Sequence, residues 1–420
     1  MITTTGLSAP DRGADERSGS GLSFEWPAED NRIPREAYLD QSLYELEMRR
    51  LFGGPYWILV GHAAEIPNPG DYKTAHVGDV PLIVLRDMAG ELRALVNSCA
   101  HRGTALVGDS YGNLAARKCL TCIYHNWRYD LSGKLISAAL KEDFPADFSR
   151  EQYGLPAARL ESYRGALFAS LSDEAPPLPE YLGATAAGVD LALGDGDLIY
   201  LGSQKVMFEC NWKIAAENIY DGYHTVSLHK AFQMLKIGAA WGEQRMADAA
   251  SYGHAWQEYR AGAPEQTGLL RDTSILAVRT KDEPGNRILN IFPTGIISDQ
   301  MDTLSLRFAI PRGVSATEMQ FAVFARRGES DELVRHRVRQ GSNLFGPEGF
   351  ISLEDQTALA RVHDGAPGRG DNVVLKGSLK RFPPYRVLDE AGIRHFYGAY
   401  RRALGIGTAE PGRCPSGAGE

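Results

Sequence analysis

Cys99-Ala-His101-Arg-Gly103 and, after 20 intervening residues from His101, Cys122-Ile-Tyr-His125-Asn-Trp127 decide how this chain is read. Each segment offers one thiolate and one imidazole. A [2Fe–2S] cluster in which two histidines replace two cysteines on one iron needs this ligand set. Neutral imidazoles raise the potential above that of an all-cysteine cluster, which suits a centre that accepts an electron and hands it to oxygen chemistry. A structural zinc site is the alternative, because Cys₂His₂ also suits zinc. Zinc fingers, however, pair Cys with Cys and His with His along the chain, at wider gaps. Cys119 lies close enough to compete as a ligand, but only Cys122 gives the Cys-x₂-His spacing; Cys119 reads as a small buried residue.

Around these segments the chain looks like an ordinary globular protein. Its 420 residues suggest two domains. Forty-five basic against 53 acidic residues leave a net charge of −8, which argues against nucleic acid or an anionic membrane as partner. No apolar run is long enough to span a bilayer. Five cysteines, three of them near the histidines, do not make a disulfide framework; they suggest a metal centre in a reducing, cytoplasmic setting. Met1 to Ser23 lacks the charged-then-apolar layout of a secretory signal and reads as a mobile tail. Ile33 to Gly53 has the apolar spacing of a helix. From Tyr56 to about Ile136 the chain reads as a small all-β unit, with strands at Val80–Arg86 and Leu92–Val96 and turns at Asp87–Glu91 and Asp130–Lys134. Helical character returns at Trp212 to Leu235. Ile288–Phe292, Thr303–Phe308 and Met319–Phe324 alternate like neighbouring antiparallel strands with one buried face. Helices are expected around Glu332–Gly341 and Gly392–Leu404.

A second constellation lies in the helical stretch: Glu217-Asn-Ile-Tyr-Asp221-Gly-Tyr-His224-Thr-Val-Ser-Leu-His229. Asp221 and His224 are three apart, so a continuous helix would put them on one face. His229 is five beyond His224 and would point aside, so the helix should bend or break between the two histidines. Two histidines and one carboxylate make a facial triad for Fe(II), with positions open for O₂ and substrate. Local spacing does not locate the carboxylate. Asp221 is better placed to hydrogen-bond a histidine, fixing its ring and tautomer, than to share the metal.

The two constellations together carry a resemblance. Cys99-Ala-His101-Arg-Gly103 with Cys122-Ile-Tyr-His125-Asn-Trp127 resembles the Rieske domain. Asn211-Trp-Lys213 followed by Glu217 to His229 resembles the catalytic-domain signature of ring-hydroxylating oxygenase large subunits. The stretch between the two cluster segments is somewhat longer than in the family, and Cys119 is extra. The resemblance implies an α+β fold: an all-β Rieske domain plus a catalytic domain whose antiparallel sheet is surrounded by helices. The implied layout is a tail at 1–32, an N-terminal helix at 33–55 packed on the catalytic domain, the Rieske domain at 56–155, the catalytic domain at 156–405 and a tail at 406–420. Cys99, His101, Cys122 and His125 are the implied cluster ligands, and His224 and His229 bind iron. The third ligand is implied in an acidic pair after Asn343-Leu-Phe-Gly-Pro-Glu-Gly-Phe350, here Glu354-Asp355, and Asp355 is assigned. Within the family the chain leans toward the salicylate and anthranilate hydroxylases, through Ala64–Gly70 and Asn343–Phe350.

The implied activity is that of a terminal oxygenase, taking electrons from a ferredoxin or reductase and using O₂ to hydroxylate a small aromatic acid. Asp221 is implied to bridge His224 to His125 of a neighbouring subunit in a homotrimer, with or without a small β subunit. An apolar pocket is expected, walled by the strands around Ile288 to Phe308 and by Phe345 and Ile351; plain core packing explains those residues equally well. Two other readings stand beside this one. A relative could demethylate N- or O-methyl groups or oxidise a quaternary ammonium compound, for which an aromatic cage would speak. A cluster protein could carry electrons without oxygenase activity, against which His224, His229 and Asp355 speak.

Overall fold

The computed structural model describes residues 22–407, apart from 236–238, 241–242, 247–251, 262–267, 269, 281–284, 369 and 378–384. Most of both expected tails lies outside the described residues. The part of the first tail that is described is anchored. Trp26 is buried, its ring 5.6 Å from Tyr397 and 5.7 Å from Tyr400, because an indole gains more by burial than loop residues lose in freedom.

A seven-stranded antiparallel sheet orders Ile58–His62, Ala166–Ser170, Ala157–Tyr163, Leu92–Val96, Val80–Arg86, Asp71–Val77 and Tyr111–Asn113. Two of its strands, Ala157–Tyr163 and Ala166–Ser170, lie past the boundary expected at 155. The hairpin of Val80–Arg86 with Leu92–Val96 closes on Asp87, whose Oδ1 accepts from the backbone N–H of Ala89 and Glu91, both at 2.9 Å. The two-residue period of a strand sorts its side chains into two cores. Leu82, Val84 and Ala94 pack in the large core that also holds Trp212 and Phe396. Ile83, Leu85 and Leu95 pack with Cys99, Cys122, Trp127 and Tyr129. The cluster segments therefore rest on a face of this sheet, together with a three-stranded sheet of Cys119–Thr121, Arg128–Asp130 and Leu135–Ser137.

The second half is built on a larger antiparallel sheet. Its order is Leu198–Phe208, Thr317–Arg326, Thr303–Pro311, Gly295–Gln300, Gly285–Ile291, Ala255–Ala261, Glu243–Met246 and Tyr385–Arg386, with Ala239–Ala240 also on Ala255–Ala261. Two expectations fail here. Gly295–Gln300 is an additional strand between two of the expected ones. Thr303–Pro311 is buried along its whole length, so its alternation does not separate core from solvent. Leu304, Leu306 and Phe308 enter one apolar core, and Arg307, on the opposite face, lines a cavity described below.

Helix geometry also departs from expectation. The helix expected from Ile33 starts only at Gln41, because Arg32–Pro34 is a strand paired with Asp371–Val373 and Asp40 caps the helix, accepting from Leu43 N at 2.7 Å. Gln41–Glu47 continues as a π turn, Met48–Phe52, and packs on the catalytic half: Glu47 is fully buried and pairs with Lys213 Nζ at 2.6 Å. Asp331–Gln340 and Ala391–Leu404 are helices near the expected bounds. Phe350–Gly365, a 16-residue helix, was not anticipated.

Candidate active site and metal centres

The two cysteine segments are the same turn built twice. The backbone N–H of Gly103 donates to Cys99 O at 2.8 Å, and that of Asn126 to Cys122 O at 3.0 Å. Cys99 N donates to Thr104 O at 2.9 Å, and Cys122 N to Trp127 O at 2.8 Å. Both turns need a left-handed residue at the same place, Gly103 (φ 73°) and Asn126 (φ 55°), the residue types that bear that conformation best. The turns bring His101 and His125 together, their ring centroids 4.5 Å apart, and Trp127 stacks on His101 at 4.9 Å. Tyr129 Oη lies 3.2 Å from Cys99 Sγ and accepts from Ala100 N at 3.1 Å.

These groups suit a cluster. Burial opposes a thiolate at Cys122, but the backbone N–H groups of Tyr124 and His125, with Cys99 and Thr104, outweigh it and pull the pKa below the usual thiol value. Burial, with His125 and Arg102 nearby, lowers the pKa of His101 and holds it neutral, as ligation requires. His125 Nδ1 is buried with no hydrogen-bond partner among the described residues, and a metal would account for it. Cys119 is buried and accepts from Arg128 Nη2 at 3.2 Å, in keeping with a packing role.

The second constellation is not one helix. Trp212–Tyr220 is capped by Asn211, whose Oδ1 accepts from Lys213 N at 3.1 Å, and it ends at Asp221, which is extended (φ −96°, ψ 117°). The chain breaks at Asp221 and, as expected, again between the histidines, where the turn that starts at His224 ends at Val226 and the next helix starts at Lys230; the shared helical face expected of Asp221 and His224 does not exist. What joins them is a turn. Asp221 Oδ1 accepts from Tyr223 N at 2.6 Å, and Oδ2 lies 3.3 Å from His224 N and 3.2 Å from His224 Nδ1. Gly222 is required there, since a Cβ would stand 2.2 Å from Val387 O. His224 then begins a short 3-10 turn, His224–Val226, and His229 precedes Lys230–Met234.

Asp355 arrives from the unanticipated helix, Phe350–Gly365. Its Oδ1 is 3.6 Å from His224 Nε2 and 3.5 Å from His229 Nε2, and one ligand atom from each of the three residues lies within 4.8 Å of the others. Both histidines have a carboxylate behind them. Asp221 stands at His224 Nδ1, and Glu354 Oε2 stands 3.1 Å from His229 Nδ1 while its Oε1 accepts from Ala231 N at 3.2 Å. Those contacts favour the tautomer with Nδ1 protonated and turn Nε2 inward, toward Asp355. Glu354 was passed over in the sequence; its adjacency to Asp355 was the available signal. Asn218 Nδ2 donates to Asp355 Oδ1 at 3.2 Å and lies 3.4 Å from His224 Nε2.

Electrostatics favour a cation at this point. Burial raises the pKa of Asp355 even though His229, His224 and Asn218 oppose the rise. Burial lowers the pKa of His229. At His224 burial works against the charged form, but Asp221 and Asp355 prevail and the pKa is raised. A divalent ion among the three would offset the cost of burying the carboxylate, and two imidazoles with one carboxylate are the donor set of a non-haem Fe(II) centre.

His224 stands between two spaces. On one side a cavity of about 70 Å³ is lined by His224, His229 and Asp355 and by Gln257, Ile288, Gln300, Arg307, Phe345 and Ile351. The expected wall residues are present, but the expected apolar character is not: glutamines and an arginine stand among them. On the other side a groove of about 620 Å³ has Asp221, Glu217 and Asn218 on its wall. Glu217 accepts from Tyr38 Oη at 2.7 Å and from Tyr397 Oη, and burial pushes its carboxyl up to about 7.

A Rieske [2Fe-2S] domain model matches residues 56–146, and a model of the ring-hydroxylating alpha subunit catalytic domain matches residues 196–406. The anthranilate 1,2-dioxygenase large subunit of Burkholderia cepacia is 33% identical over 403 residues, covering 89% of this chain and 94% of its own. This chain belongs to the ring-hydroxylating oxygenase alpha-subunit family. As such a subunit it is an oxidoreductase that uses a Rieske [2Fe–2S] cluster and a mononuclear non-haem iron. The salicylate 5-hydroxylase large oxygenase component of Ralstonia sp is 30% identical, covering 90% of this alpha subunit and 96% of its own length. In fold, the alpha subunit resembles naphthalene 1,2-dioxygenase from Rhodococcus sp., with a TM-score of 0.76 at 23% identity over 89% of this chain and 94% of that one. The α+β architecture expected from the sequence is the family's. No helix among the described residues is long and apolar enough to cross a membrane.

Proposed function

We propose that this alpha subunit is the terminal component of an oxygenase that takes electrons from a ferredoxin or reductase and inserts oxygen from O₂ into an aromatic acid. Cys99, His101, Cys122 and His125 hold the cluster; His224, His229 and Asp355 hold the iron. The observation that carries the reading is the convergence of His224 Nε2, His229 Nε2 and Asp355 Oδ1 on the wall of one cavity, each ring braced by its own carboxylate. An Fe(II) ion held by His224, His229 and Asp355 would supply the oxygen chemistry, with electrons delivered by the ferredoxin or reductase. The chain's own part is to exclude water with Phe345, Ile351 and Ile288, to hold both imidazole tautomers, and to orient the ring of the substrate. Relatives named for anthranilate and salicylate support an aromatic acid.

Electron delivery is proposed to run between subunits, through His125 of one and Asp221 and His224 of the next, in a homotrimer. Asp221 faces the wide groove, and the cluster tip carries exposed apolar side chains at Ile123, Tyr124 and Leu140 that would seat in it. A cytoplasmic site of action agrees with the described cysteines, Cys99, Cys119, Cys122 and Cys210, all of which are unbridged. A quaternary ammonium substrate is disfavoured by the arginine in the cavity wall, and a bare electron carrier would not need the three-ligand centre.

The test is a screen of aromatic acids with a surrogate reductase and ferredoxin under labelled O₂, read by mass spectrometry. Labelled product from at least one acid is expected, with one or two labelled atoms separating mono- from dioxygenation. His224→Ala should abolish product and mononuclear iron while the cluster's optical spectrum survives. Joint loss of cluster and iron would contradict separate centres, and absence of label in every product would end the oxygenase reading.

A further inference from the structure

Two amide side chains of the large sheet meet one helix end at the iron cavity. The carbonyl of Ile219, in the last turn of Trp212–Tyr220, accepts from Gln257 Nε2 at 2.7 Å and from Asn290 Nδ2 at 3.2 Å. A helix leaves its last carbonyls without partners of its own, so side chains must supply them. In the register of Ala255–Ala261 with Gly285–Ile291, Gln257 faces Ile288 and Ala255 faces Asn290, which puts all four on one face of the sheet. Ile219, Gln257 and Ile288 line the cavity together with His224, His229 and Asp355.

The contact to Ile219 decides which way the Gln257 amide is turned. A carbonyl oxygen only accepts, so the amide nitrogen must face it and Oε1 faces elsewhere. Gln257 is 3% exposed, and its Oε1 has no hydrogen-bond partner among the described residues. That oxygen is not sealed among protein atoms, and the space that Gln257 borders is the iron cavity. Holding an amide oxygen away from bulk water without a donor costs stability. Gln257 is not needed to satisfy Ile219 either, because Asn290 donates to the same carbonyl. The fold alone therefore gives little reason for a glutamine in this wall, and a donor inside the cavity gives one.

We infer that Gln257 Oε1 accepts a hydrogen bond from the substrate, so that the aromatic acid taken by this site carries an N–H or O–H donor, an amino or hydroxyl group, on its ring. The assignment rests on the oxygenase reading above and narrows its substrate class. A wall group that expects a donor rejects an analogue lacking one, because binding the analogue leaves the wall group unpaired. Gln257 is held by a strand at its backbone and by a helix end at its amide, so the acceptor is in place before the substrate arrives. The bond would then set how the ring is rotated before the three ligands.

The test uses purified protein loaded with cluster and iron, and calorimetry with amino- and hydroxybenzoates, each in its ortho, meta and para form, against the methylbenzoates of the same pattern. Amino, hydroxyl and methyl groups are close in size, so the comparison isolates the donor. Wild type should bind at least one donor-bearing acid about tenfold or more tightly than its methyl counterpart. Gln257→Met, similar in length but without the amide, should bring that ratio to about one or below, with iron content unchanged and Ile219 still held by Asn290. Gln257→Leu stands in if the methionine variant does not fold. No donor preference in wild type, no binding of any of these acids, or a preference that survives the loss of the amide overturns the assignment. So does loss of iron along with the preference, which would give Gln257 to the support of the metal site. The oxygenase reading fails separately, on the absence of labelled oxygen in every product; labelled product from acids that bear no donor would keep that reading and remove this one.

Discussion

Each triad histidine presents Nε2 to Asp355 because a carboxylate occupies its Nδ1 side, Asp221 for His224 and Glu354 for His229. A histidine rotated by one tautomer would offer an N–H where a ligand lone pair is required. Second partners of this kind are worth roughly 10- to 100-fold in metal affinity. Glu354→Ala should therefore weaken Fe(II) binding by about that factor in a chelator-competition titration, and Glu354→Gln, which keeps an acceptor oxygen, should lose less. Equal affinities in all three proteins would remove Glu354 from the site. At this scale the sequence was informative where residues are close along the chain: the two cysteine turns and the Asp221 to His229 run are local. The His229–Glu354 contact spans 125 positions and left no mark beyond the pairing of Glu354 with Asp355.

Helices in this protein are placed by buried polar contacts as much as by apolar stripes. Glu47, at the end of Gln41–Glu47, accepts from Lys213 Nζ at 2.6 Å, from Trp212 Nε1 at 2.7 Å and from Tyr400 Oη, tying three helices together. One of them is Trp212–Tyr220, whose far end delivers Asp221. Burial lowers the pKa of Lys213, with Glu47 opposing the fall, so removing the acid would strand a buried cation. Glu47→Ala should cost about 3–5 kcal/mol in urea unfolding, and Lys213→Met in the same background should return part of it. A loss under about 1 kcal/mol would mean that the pair is replaceable by water. The same element shows why the helix pattern misled. Trp212 to Leu235 carries an apolar rhythm throughout, but the Asp221 turn and the close approach of Val387 to Gly222 break it at Asp221-Gly222, a turn dipeptide that the rhythm overrode in the reading.

Across the whole molecule, the seven-stranded sheet separates two cores, one under the cluster turns and one shared with the catalytic half. The cluster tip is left outside both, with Ile123 86% and Leu140 76% exposed. In the proposed trimer these side chains are covered by the neighbour's groove beside Asp221. Ile123→Asp together with Leu140→Asp should shift sedimentation from trimer toward monomer and slow turnover at least tenfold, with the cluster's spectrum unchanged; a wild-type trimer unaffected by both charges would move the interface elsewhere. Asp221→Asn should leave assembly and both metals in place and nearly stop product formation, because the link from groove to His224 is cut rather than the site emptied.

The sequence by itself determined the cluster turns, the two histidines with Asp221 beside them, and the family, since short-range spacing of metal-binding side chains survives in one dimension. It also foretold the hairpin at Val80–Val96, where period and turn chemistry agree. Tertiary structure alone decided that Phe350–Gly365 is the helix that carries Asp355 to the histidines, and that Glu354 braces one of them. It alone showed that Arg307, on the polar side of Thr303–Pro311, lines a cavity instead of meeting solvent. A strand's alternation reports two faces but not what lies against each, and that is set by elements more than a hundred residues apart in the chain.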